Sequence, residues 1–92
     1  MTREELYEYA EHLGYSNADV NLIINSSMYD EDQAISICKA IMPVAIVTGV
    51  TAIELVDLIS KIYRPKVGPA QMGMALRKHF RTMKEDNNDT PK

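Results

Sequence analysis

Apolar side chains recur at three- and four-residue spacings through most of the chain, the period of a helix buried along one face. Leu6, Tyr9, Ala10 and Leu13 form the first such face, preceded by the capping box Thr2-x-x-Glu5 and followed by a stop at Gly14. Ser16 caps a second helix, with Asp19 at its third position and Val20, Ile23 and Ile24 turned inward. Asp30 caps a third, whose inner residues are Ala34, Ile37, Cys38 and Ile41. The joints at Gly14-Tyr15 and Met28-Tyr29 are short, so these three helices are expected to pack on one another.

The pattern blurs over residues 42–50. Pro43 is unwelcome inside a helix but suits the first turn of a new one, while Val44, Ile46, Val47 and Val50 also favour strands. A lone strand has no partner here, so the expectation is a short buried helix from Pro43 to Gly49. Thr51-x-x-Glu54 then opens a helix with Ile53, Val56, Ile59, Ile62 and Tyr63 inward, Asp57 and Lys61 outward, and Pro65 as its end. Pro69 stands at the first position of a last helix reaching about Lys84. In that helix Met72, Leu76, Met83 and either His79 or Phe80 share a narrow sector, and Ala70, Met74, Arg77, Lys78 and Arg81 lie opposite, with Gln71 at the edge. The fold expected is all-α with five or six helices. Residues 1–42 form a three-helix unit, 43–85 a helix-turn-helix-like unit sharing its core, and 86–92 a flexible polar tail.

Charge adds the feature that points beyond a small helical domain. Residues 61–84 carry Lys61, Arg64, Lys66, Arg77, Lys78, Arg81 and Lys84 and no acidic residue, in a chain whose formal net charge is -3. Residues 1–46 hold two basic residues against eight acidic ones, whereas residues 47–92 hold eight against five. A one-signed stretch of this kind attracts polyanions whatever the overall charge. The hydrophobic fraction of 46% excludes a disordered chain, and no apolar run approaches the roughly 20 residues of a membrane span. The opening Met-Thr-Arg-Glu-Glu lacks the regions of a signal peptide, and Cys38 is the single cysteine; both fit a cytoplasmic setting, in a bacterium or phage. The apolar neighbours of Cys38 mark it as a core residue rather than a nucleophile.

Two resemblances follow from particular residues. Leu13-Gly14-Tyr15 at the first turn, Val20 and Ile24 in the second helix, the acidic turn Asp30-Glu31-Asp32 and the pair Ala34-Ile35 resemble the ubiquitin-associated (UBA-like) three-helix fold. In that family the Gly-aromatic turn and a leucine-rich end of the third helix grip ubiquitin. Here Cys38 and Lys39 replace the leucine pair, so the resemblance implies the shape and a docking surface at Leu13, Gly14 and Tyr15 rather than ubiquitin itself. Residues 51–84 resemble the last two helices of a helix-turn-helix or winged-helix DNA-binding domain, through the capped amphipathic helix, the turn with Val67-Gly68 and the run Pro69-Ala70-Gln71-Met72-Gly73-Met74-Ala75-Leu76-Arg77-Lys78. No glycine-rich hairpin follows, so the wing is absent or much reduced.

Phosphate chemistry gives the second resemblance its content. Each Lys or Arg that neutralises a phosphate releases condensed counterions. Lys66, Arg77, Lys78, Arg81 and Lys84 are therefore candidate phosphate contacts, flanked at the turn by Lys61 and Arg64. Gln71 suits adenine, Arg77 suits guanine, and Met74 or Ala70 suits a thymine methyl. Enzyme signatures are missing: His12 and His79 stand far apart, no grouping has metal-ligand spacing, and no nucleophile triad or phosphate-cradling loop occurs. The expectation is a non-enzymatic regulatory protein, without metal or cofactor, that binds nucleic acid, most simply DNA. The alternative is an adaptor or inhibitor that binds a protein through Leu13, Gly14, Tyr15, Met74 and exposed tyrosines.

Overall fold

The structure, a computed structural model, describes residues 1–88, with side chains as far as Met83. Five helices follow one another with no strand among the described residues: α1 (Arg3–Leu13), α2 (Asn17–Ser26), α3 (Glu31–Thr48), α4 (Ala52–Ile62) and α5 (Pro69–Asn88). None is long and apolar enough to cross a membrane.

The helix starts are local chemistry. Thr2, Ser16, Asp30 and Thr51 each accept a hydrogen bond from the backbone N–H three residues on, and Glu5, Asp19, Gln33 and Glu54 each return one from the cap N–H. Those returned bonds hold the carboxyls of Glu5 and Glu54 below the usual range. Two stops are also local. Gly14 and Gly49 sit at φ 105° and 84°, a region that L side chains rarely enter, and each closes the helix before it.

One core joins all five helices, built from Leu6, Val20, Ile23, Ile37, Ile41, Leu55, Met72, Leu76 and Phe80 among others. α3 and α5 lie side by side and run parallel: Ser36 and Ala40 face Ala70, Gly73 and Met74, while Val44 and Val47 face Arg77 and Arg81. α2 packs on α4, and α1 covers α2 and α3. Arg3 pins that cover by donating to Glu31 Oε1 at 2.8 Å and Asn21 Oδ1 at 3.0 Å.

Three expectations need correction. The separate helix from Pro43 does not form; α3 continues through Pro43 to Thr48. Proline there removes the N–H that would bond the Lys39 carbonyl. The Tyr9 hydroxyl takes its place, donating to Lys39 O at 3.2 Å, so packing against α1 offsets the break. In α4, Ile53 is not inward but 72% exposed, and the buried residues are Ala52, Leu55 and Ile59. Counting 100° per residue puts Ile53 beside Asp57 and Lys61, so the inward sector is centred one residue row away from the expected one. Finally, α5 extends past Lys84 to Asn88, so helical backbone enters the segment expected to be a tail; residues 89–92 lie outside the described residues. Phe80, not His79, completes the buried face of α5.

Candidate functional site

The basic helix is aimed by tyrosines. Tyr29, in the joint before α3, donates its hydroxyl to Val67 O at 2.6 Å and stacks edge-on against Tyr63 with ring centroids 5.3 Å apart. These contacts fix the α4–α5 turn on the N-terminal helices. Tyr15, in the joint before α2, makes the corresponding latch to Val50 O at 3.3 Å between α3 and α4. Burial pushes both phenols above their usual range. At the start of α5, Gly68 N–H donates to Gln71 Oε1 at 2.9 Å, which closes the first turn after Pro69.

The basic stretch divides by what its members touch. Lys61 pairs with Asp57 at 2.9 Å, one turn away. The Arg64 guanidinium turns back to the carbonyls of Tyr63 at 2.6 Å and Lys61 at 3.1 Å, capping the end of α4. Both therefore serve the local fold rather than flanking the turn as free cations. Lys66, Arg77, Lys78 and Arg81 are exposed and form no ion pair with a described residue. Met74, Arg77, Lys78 and Arg81 surround one shallow cleft of about 350 Å³. Lys66 sits in the turn ahead of the helix, Gln71 is exposed but has its amide oxygen committed to Gly68, and the side chain of Lys84 lies outside the described residues.

A helix dipole does not account for the row. Cations gain from the dipole only within about the last turn of a helix. Because α5 runs to Asn88, Arg77, Lys78 and Arg81 lie well before that turn.

The residues expected to dock a protein are not brought together. Tyr15 is 4% exposed and spends its hydroxyl on Val50, so it offers no surface. Leu13 is half-buried and Gly14 lies beside the end of α3 at Ile46, whereas Met74 borders α3 near its start at Ser36 and Ala40. The other tyrosines are half-buried, and Tyr7 donates to Asn21 Oδ1 at 2.6 Å. The tyrosine hydroxyls that the sequence suggested as contacts are mostly fasteners of the fold.

What sequence reasoning missed is the apolar groove beside the basic row. Pro43, Val44, Val47 and Thr48 of α3 and Arg77, Phe80 and Arg81 of α5 line a cleft of about 460 Å³. Val47 is 74% exposed, and Met74, 68% exposed, lines the adjoining cleft with Ser36 and Ala40, the two clefts sharing Arg77. The signal was present in the aliphatic run of 44–47, but only the pairing of α3 with α5 gives it a second wall.

Comparison with protein-family models, curated proteins and solved structures finds no match.

Proposed function

We propose that this chain is a small non-enzymatic nucleic-acid-binding protein whose contact surface is the outward face of α5. The observation that supports this reading is the row Arg77, Lys78 and Arg81, exposed on one face, paired with no described carboxylate and unexplained by the helix dipole. In α4, the turn and α5, a capped helix is followed by a basic helix whose outer face carries the small side chain of Ala70. Ala70 lets a polyanion approach the backbone, the cations neutralise phosphates, and Lys66 extends the positive field past the start of the helix. The acidic N-terminal surface, with Glu4, Glu8 and Glu11 exposed on α1, repels the same polyanion and orients the encounter. Cys38 is unsuited to act as a nucleophile, since burial pushes its thiol up to about 12 and leaves little thiolate at neutral pH.

The test is an anisotropy titration of labelled duplex and single-stranded oligonucleotides at 50 and 200 mM salt. Binding is expected to weaken steeply with salt. Arg77→Ala with Arg81→Ala is expected to keep the fold and make the log–log salt slope shallower by about two units, since each lost phosphate contact removes about 0.9. No binding to either nucleic acid at low salt overturns the proposal.

A further inference from the structure

We infer that the groove between α3 and α5 is a docking site for an acidic amphipathic helix of a partner protein, and that its occupancy closes the basic face of α5 to nucleic acid. The second half of this inference rests on the nucleic-acid reading above; the first does not.

The groove has two unlike walls. Along α3 the stripe Ala40, Val44 and Val47 recurs at helical spacing and is aliphatic, with Val47 74% exposed. Along α5 the wall is Met74, 68% exposed, followed by Arg77 and Arg81. Among the described residues, no carboxylate lines either stretch of it. Between the walls lies Gly73. A glycine inside a helix is less stable than alanine there, so it calls for a packing reason. Gly73 is itself buried, yet a Cβ built on it meets nothing within 4 Å, so steric crowding at that position is not the reason. The missing side chain leaves room in the groove instead. The two clefts share Arg77, and together they follow α3 from Ser36 to Thr48, about 18 Å at 1.5 Å per residue, the length of a helix of about 12 residues.

These features select the occupant. Aliphatic side chains at i, i+3 or i+4 and i+7 of an incoming helix find Val44, Val47 and Met74, and carboxylates flanking that stripe reach Arg77 and Arg81. A second copy of this chain fits less well. On its acidic α1, Leu6 and Ala10 are buried and Leu13 half-buried, and on α4 a single exposed aliphatic side chain, Ile53, stands beside Glu54 and an Asp57 already paired with Lys61. Nucleic acid fits the cations but not the other wall. A single strand seeks aromatic faces to stack on, and Phe80, the aromatic residue of the groove, is 1% exposed.

The experiment uses the full chain and a labelled 15-residue peptide with leucines at helical spacing and glutamates on both flanks. Its controls are a scrambled peptide of the same composition and a version with lysine in place of every glutamate. The amphipathic peptide is expected to bind at least tenfold more tightly than either control. Val47→Glu and Gly73→Leu are each expected to weaken it at least tenfold without lowering the melting temperature of the free protein. If Gly73→Leu fails to fold, Met74→Glu on the exposed rim takes its place, with the same loss expected. Equal binding of peptide and scramble, or unchanged binding by the groove variants, overturns the docking site. Concentration-dependent dimers that Val47→Glu abolishes overturn the choice of occupant in favour of a second copy. Saturating peptide is then expected to displace a bound oligonucleotide. Peptide binding with no nucleic-acid binding by the free protein removes the proposed function and leaves the groove standing; simultaneous binding of both overturns the regulatory half alone.

Discussion

Pro43 and Tyr9 provide a direct test of how α3 stays continuous. Proline inside a helix is about 3 kcal/mol less favourable than alanine, because a backbone bond is lost and the ring crowds the preceding turn. Here the orphaned acceptor is the Lys39 carbonyl, and the Tyr9 hydroxyl already donates to it at 3.2 Å. That bond recovers about 1 kcal/mol, and proline's restriction of the unfolded chain recovers about 0.4–1 kcal/mol more. Pro43→Ala is therefore expected to stabilise the protein by about 1–2 kcal/mol, not by the full helix penalty. Tyr9→Phe removes the substitute donor and is expected to cost about 1 kcal/mol in the parent. In the Pro43→Ala background the new N–H bonds Lys39, so the same change is expected to cost less than about 0.5 kcal/mol. Urea melts of the four proteins close a double-mutant cycle whose coupling is at least about 0.5 kcal/mol. Equal cost of Tyr9→Phe in both backgrounds would refute the reasoning, since the hydroxyl would then not be compensating for the proline.

Two further outcomes follow from the core. Leu55, 1% exposed, and Ile53, 72% exposed, lie two residues apart in α4. Leu55→Ala is expected to cost about 2–5 kcal/mol and Ile53→Ala less than about 0.5 kcal/mol, read by thermal melting; similar losses would mean the inward face of α4 is misplaced. Alkaline stability reports the buried thiol. Cys38 is pushed by burial from an ordinary 9.0 up to about 12. A raised value means that the unfolded chain ionises first, so the contribution is intact below pH 9 and is lost as pH climbs towards 12. The initial slope is expected to approach about 1.4 kcal/mol per pH unit, with Tyr15 and Tyr29 adding to it above about pH 10. Cys38→Ala is expected to delay the onset by about one pH unit, towards the ordinary tyrosine value. A pH–stability curve unchanged by that substitution would place the thiol in contact with solvent.

What could be read from the sequence was local chemistry. The caps at Thr2, Ser16, Asp30 and Thr51, the stops at Gly14 and Gly49, and the start at Pro69 each depend on residues within one turn. The outward row Met74, Arg77, Lys78 and Arg81 was equally legible, because opposite faces of one helix follow from counting. The break expected at Pro43 failed because a residue 34 positions earlier, Tyr9, completes the hydrogen bonding. Ile53 was misplaced for a different reason. Ile53, Leu55, Val56, Leu58, Ile59 and Ile62 spread aliphatic side chains over roughly 220° of α4 at 100° per residue, wider than one packed face, so spacing alone could not choose the part that packs on α2. The division of labour among the cations was also hidden, since Lys61 and Arg64 look the same in sequence as Arg77 and Arg81.

The latches at Tyr15 and Tyr29 tie these threads together. Each belongs to a joint of the N-terminal helices, and each donates to a carbonyl in a joint of the C-terminal ones, Val50 and Val67. Two fixed points at successive joints determine the lie of α4 and hence the start of α5. The start of α5 then sets which of its faces meets α3, so the groove and the basic row are positioned by residues that touch neither. Charge stays segregated along the chain: Arg3, one of the two cations in residues 1–46, is spent on Glu31 and Asn21, while Arg77, Lys78 and Arg81 stay unpaired with any described residue. A chain selected only for stability has no reason to keep three cations in a row beside an aliphatic wall and a mid-helix glycine whose Cβ position stands open. Each of those features lowers stability or solubility slightly in the free protein, and the proposed apolar, acidic partner helix would compensate for all of them at once.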